Sequence, residues 1–65
     1  MSKRDVIEMI VRQYGGCVTP GINWTWALFI DNDQRGLVAF EEVTRRFPEI
    51  ETRGYSPTDG FRYRY

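Results

Sequence analysis

Six carboxylates fall within residues 31–51: Asp31, Asp33, Glu41, Glu42, Glu49 and Glu51. Only Arg35, Arg45 and Arg46 offset them, so this stretch carries a net −3. Carboxylates on a small rigid scaffold can meet the Arg and Lys groups with which larger proteins grip phosphate. The flanks have the opposite sign. Residues 52–65 set Arg53, Arg62 and Arg64 against Asp59, and residues 1–14 set Lys3, Arg4 and Arg12 against Asp5 and Glu8. The chain ends on an alternation, Phe61-Arg62-Tyr63-Arg64-Tyr65. Arg and Tyr are enriched at protein-interface hot spots, and Arg interleaved with aromatics can also stack on bases and neutralise phosphates. The candidate partner-binding residues are therefore the six carboxylates together with Arg62, Tyr63, Arg64 and Tyr65, with Arg53 joining the tail in the nucleic-acid reading.

What the chain lacks narrows its chemistry further. Among 65 residues there is no His and one Cys, with nine basic and nine acidic side chains. Without imidazole there is no Ser-His or Cys-His nucleophile pair and no histidine-held metal. One thiol cannot close an intramolecular disulfide or build a multi-thiolate zinc site. Small secreted domains commonly compensate for thin cores with several disulfides, so a reducing cytoplasm is the expected location. Cys17 has no basic neighbour in sequence, and we expect a buried or half-buried inert thiol. The longest apolar run, residues 26–30, is far short of a membrane span. No catalytic constellation and no cofactor motif is present, so a non-enzyme is expected.

Residues 31–42 resemble the calcium loop of the EF-hand family. Asp31, Asp33 and Glu42 match loop positions 1, 3 and 12, Gly36 matches the bend at position 6, and Val38 the apolar position 8. Trp26, Ile30, Val43 and Phe47 fall at apolar positions of the flanking helices. The resemblance implies Asp31, Asp33 and Glu42 as calcium ligands. Position 5 is Arg35, a cation where the family places an oxygen ligand, and the preceding uncharged run reads as a strand. We therefore expect a polar turn leading into a helix, with no metal.

The elements follow from periodicity. Ser2 with Asp5 three residues later forms an N-cap, and Val6, Ile7, Ile10, Val11 and Tyr14 line one face of a helix over residues 2–14. Gly15-Gly16 ends it. Residues 19–22 read as a turn around Pro20-Gly21. Ile22, Trp24, Trp26, Leu28 and Ile30 alternate with Asn23, Thr25, Ala27 and Phe29, which predicts a central strand with both tryptophans in the core and Asn23 and Thr25 facing away. Leu37-Val38-Ala39 reads as a short return strand, and residues 40–47 as a helix stopped by Pro48. Residues 49–65 read as a hairpin, turning at residues 56–60.

The expected fold is thus α+β: one compact domain over residues 1–65, with an N-terminal helix, a short antiparallel sheet, a second helix and a C-terminal β-hairpin. The expected function is a stand-alone, non-enzymatic protein-binding module that inhibits or modulates a larger protein or ribonucleoprotein complex. Its acidic surface would occupy a nucleic-acid-binding site of that target, and no membrane is involved. In size and Arg-rich make-up the chain is similar to accessory proteins of phages and mobile elements, including anti-CRISPR inhibitors, although no diagnostic motif carries that likeness. The alternatives are a small nucleic-acid binder using the C-terminal Arg/Tyr strand and a degenerate single EF-hand-like calcium-binding protein. If residues 31–42 form a turn rather than a cation site, millimolar calcium will leave the tryptophan fluorescence unchanged. A saturable response would reinstate the loop.

Overall fold

Ser2 starts the structure as its sequence position dictates. Its hydroxyl accepts a hydrogen bond from the Asp5 backbone N–H at 3.3 Å, capping helix α1 (Lys3–Gln13). The computed structural model describes residues 2–29, 34–56 and 58–64. Ile7, Ile10 and Val11 are buried along the inner face of α1. Gly15 then takes a φ of +83°, the left-handed conformation that glycine adopts without a Cβ penalty, and the chain reverses.

It reverses into a strand that the sequence did not announce. Strand β1 (Gly16–Pro20) pairs antiparallel with β2 (Thr25–Phe29). Gly15-Gly16 at its start and Pro20-Gly21 at its end made this stretch look like turn chemistry. On an edge strand the missing proline N–H is tolerated, and β1 is an edge. Strand β2 is central, as expected, but it begins only at Thr25, and Ile22 stands fully exposed in the connection.

Helix α2 (Arg35–Arg46) begins five residues before the expected start, so Leu37-Val38-Ala39 is helix and not strand. The inward positions are Gly36, Ala39, Phe40, Val43 and Phe47, spaced three and four apart. Gly36 permits the close approach. A Cβ there would stand 2.5 Å from Cε1 of Tyr55 and 3.0 Å from Cδ2 of Phe29. Gln34 occupies the N-cap without a side-chain hydrogen bond, so nothing in the sequence marks where the helix starts.

The terminal hairpin forms as expected from β3 (Glu51–Ser56) and β4 (Gly60–Arg64). All pairings are antiparallel, in the order β1-β2-β4-β3. A bulge between Arg53 and Ser56 breaks the alternation of β3, and Tyr55 packs against the core and Gly36. The product is an α+β domain with two helices packed on one face of a four-stranded antiparallel sheet.

Phe61 is the hub of the core. Its ring lies 5.1 Å from that of Phe40 and 6.1 Å from those of Phe29 and Tyr63, within the range of favourable aromatic pairing. Ile7, Val11, Ala27, Ala39, Val43 and Tyr63 are wholly buried around it.

Two glycines give a matched test of this packing. Gly60 has φ +67°, and a Cβ would collide with the Ala27 carbonyl oxygen across the β2–β4 ladder. Gly54 has open space where its Cβ would go. Gly60→Ala is expected to cost about 2–4 kcal/mol in urea denaturation, and Gly54→Ala less than about 0.5 kcal/mol. Equal effects at the two positions would contradict the close approach.

Candidate binding face

Cross-strand partners share a face of a sheet, so the register sorts the side chains. Thr52, Tyr63 and Thr25 align on the helix side, as do Phe61, Ala27 and Val18. The next row lies on the opposite, helix-free side. It runs Thr19, Trp26, Arg62, Arg53 across all four strands. Beside it, Arg64 pairs with Glu51. Cys17 and Leu28 share this open side, where Cys17 is exposed and not buried as its sequence context suggested.

The tryptophans therefore do not belong to the core. Both are half-buried, and what covers them is arginine. The Arg62 guanidinium lies 4.8 Å from the Trp26 ring centroid. Those of Arg64 and Arg53 lie 4.4 and 5.2 Å from that of Trp24. These separations suit cation–π attraction, worth roughly 0.5–1 kcal/mol at exposed sites. Thr25, expected to face away from the core, points toward the helices instead. Asn23 is exposed in the loop.

The reversal has a local cause. In β2 both alternating sets are apolar at their centre, with Trp26 and Leu28 against Ala27 and Phe29. Hydrophobicity alone cannot choose between them. The choice is made by β4, where Phe61 and Tyr63 alternate with charged Arg62 and Arg64. Phe61 and Tyr63 must go inward, and the register then carries Ala27 in with Phe61 and Trp26 out with Arg62. That alternation was the signal that could have placed the tryptophans.

The sequence-derived candidates divide accordingly. Arg62 and Arg64 lie on the open face, joined by Arg53 from β3. Tyr63 is wholly buried among core side chains, so it offers no contact surface. Tyr65, Asp31 and Asp33 lie outside the described residues. The remaining carboxylates are dispersed. Glu42 accepts a hydrogen bond from the Tyr14 hydroxyl at 2.9 Å, linking the two helices. That bond, then burial and the carboxylate charge, push the Tyr14 phenol above its ordinary range. Glu49 lies 3.7 Å from Lys3, and Glu51 is bound to Arg64 at 3.0 Å. Glu41 is exposed on α2. The charge blocks seen along the sequence are thus interleaved in space. For the calcium-loop resemblance, the segment before the loop is strand β2 and not a helix, and Glu42 is engaged by Tyr14.

One arrangement on the open face is unfavourable in isolation. Arg53 and Arg62 are direct cross-strand partners, and like charges placed opposite each other destabilise a sheet. Among the described residues no carboxylate lies within ion-pair distance of either. Separate tryptophans hold the two guanidinium groups.

Comparison with known proteins adds no relative: no family model matches the chain, and no curated protein and no solved structure matches it. Among the described residues no helix is long and apolar enough to cross a membrane.

The opposed arginines make a measurable claim. In a double-mutant cycle of Arg53→Gln and Arg62→Gln, urea denaturation at low salt should give a repulsive coupling of about 0.2–1 kcal/mol. The coupling should fade at high salt. An attractive or salt-independent coupling would remove the electrostatic argument for this face.

Proposed function

We propose that this chain is a non-enzymatic binding module that docks on a larger protein or ribonucleoprotein complex and modulates or inhibits it. Its recognition surface is the open sheet face rather than the acidic segment. The observation that carries the reading is the Arg53–Arg62 pair, held opposite each other beside Trp24 and Trp26, with no carboxylate within ion-pair distance of either among the described residues. Such an arrangement costs stability in the free chain and is relieved by an anionic partner. Among the described strand residues three arginines stand against one glutamate on this face, although the whole chain is neutral. The dispersal of Glu42, Glu49 and Glu51 into contacts with Tyr14, Lys3 and Arg64 argues against a continuous acidic mimic. An exposed single thiol, Cys17, suits a reducing compartment, and we place the protein in the cytoplasm.

The test is affinity capture from the native cell with three baits: the unaltered chain, Arg53→Glu/Arg62→Glu, and Glu41→Lys/Glu49→Lys. The first and third should retain the same complex, and the second should lose it at least tenfold. Loss with the Glu41/Glu49 variant and retention with the arginine variant would transfer recognition to the acidic residues and overturn the reading.

A further inference from the structure

Resting on that reading of the open face, we infer that what it grips is single-stranded nucleic acid. Bases stack on the Trp24 and Trp26 sites, and phosphates lie along Arg53, Arg62 and Arg64. Four observations point this way. First, Trp26 on β2 and Trp24 just before that strand both lie against arginines of the same face. Together they offer two aromatic sites to unpaired bases. Second, every Trp site already carries a guanidinium at stacking distance, 4.4 Å for Arg64 and 4.8 Å for Arg62. A planar guanidinium can stack on a base or turn to a phosphate, releasing the ring beneath it. Third, Arg53 and Arg62 are direct cross-strand partners on β3 and β4. Two opposed cations suit a backbone that brings one negative charge per nucleotide. Fourth, the face combines cations with aromatics, the make-up of a groove or sheet that tracks a single strand.

The same features choose single strands over duplex. A base in a duplex has both faces covered by its neighbours, so only an unstacked base can lie on a sheet-borne aromatic. Three arginines also set the strength. Displacing counterions from about three phosphates gives a log–log salt slope near −2 for a single strand, which is a modest, micromolar binder. The neutral total charge adds no long-range attraction beyond these contacts.

The experiment titrates the intact chain into fluorescein-labelled mixed-sequence DNA and RNA single strands of about 12 nucleotides. The matching duplex and a poly-glutamate peptide serve as separate probes, at about 50 mM salt. Anisotropy and tryptophan fluorescence are read together. Expected are micromolar binding to single strands with tryptophan quenching, at least tenfold weaker binding to duplex, and a salt slope near −2. Arg62→Gln should weaken binding about tenfold, with circular dichroism confirming the fold. Trp26→Leu, which keeps an apolar side chain on the strand, should weaken it similarly while removing much of the quenching. Binding to poly-glutamate equal to that of the single strands, or equal binding to duplex, would overturn the inference. So would no anisotropy change at any micromolar concentration. If single strands fail while capture remains dependent on Arg53 and Arg62, the open face stands and its partner is an acidic protein. If both fail, the face itself is wrong.

Discussion

A four-stranded sheet has two faces, and here helices of eleven and twelve residues are available to cover them. That is enough apolar surface for one layer. A chain of this size buries only about 60% of the surface that it exposes when unfolded, so its core is necessarily one-sided. Every other feature follows from which face receives the helices. The period of two in β4 decides it, because Phe61 and Tyr63 cannot share a face with Arg62 and Arg64. Once Phe61 is inside, it gathers Phe29, Phe40 and Tyr63, and the register places the arginines and tryptophans together on the other side.

The open face is then a compromise between solubility and burial. Two indole rings on a solvated sheet would be an apolar patch of the kind that marks a binding site or an aggregation hazard. Guanidinium groups lie over them and keep a charge at the surface while covering the rings. Glu51 steadies one of these arginines, and among the described residues no carboxylate lies within ion-pair distance of the opposed pair, Arg53 and Arg62. A covering side chain can move aside, so these contacts shield the tryptophans without locking them away.

The legible parts of the sequence were those with local signals. Ser2 and Asp5 marked the start of α1, and its apolar stripe marked the buried face. Pro48 marked the end of α2, and residues 56–60 marked the last hairpin. The α+β class, with a helix first and a hairpin last, was therefore legible, whereas β1 and the start of α2 were not. Features that depended on distant partners could not be read from local signals. Gly16 and Pro20 belong to a strand only because β2 lies beside them. Gly36 belongs to a helix because Tyr55 and Phe29 need its missing side chain. The tail arginines were identified as candidates, but Tyr63 was not recognisable as core and Trp26 was not recognisable as surface. Those assignments required knowing that β2 and β4 are neighbours, a pairing separated by more than thirty residues of chain. Linear charge blocks failed for a related reason, since the hairpin folds Glu51 back onto Arg64.

The bulge in β3 has a consequence for the sheet's two borders. It breaks the ladder after Arg53 and leaves charged side chains on that outer strand, so β3 is a poor template for a further strand. The opposite border, β1, is uncharged from Gly16 to Pro20 and interrupted only by the proline at its end. The two rims of the sheet thus differ: the Gly16–Pro20 edge is regular and uncharged, whereas the Glu51–Ser56 edge is bulged and carries charge, the features that discourage edge-to-edge pairing.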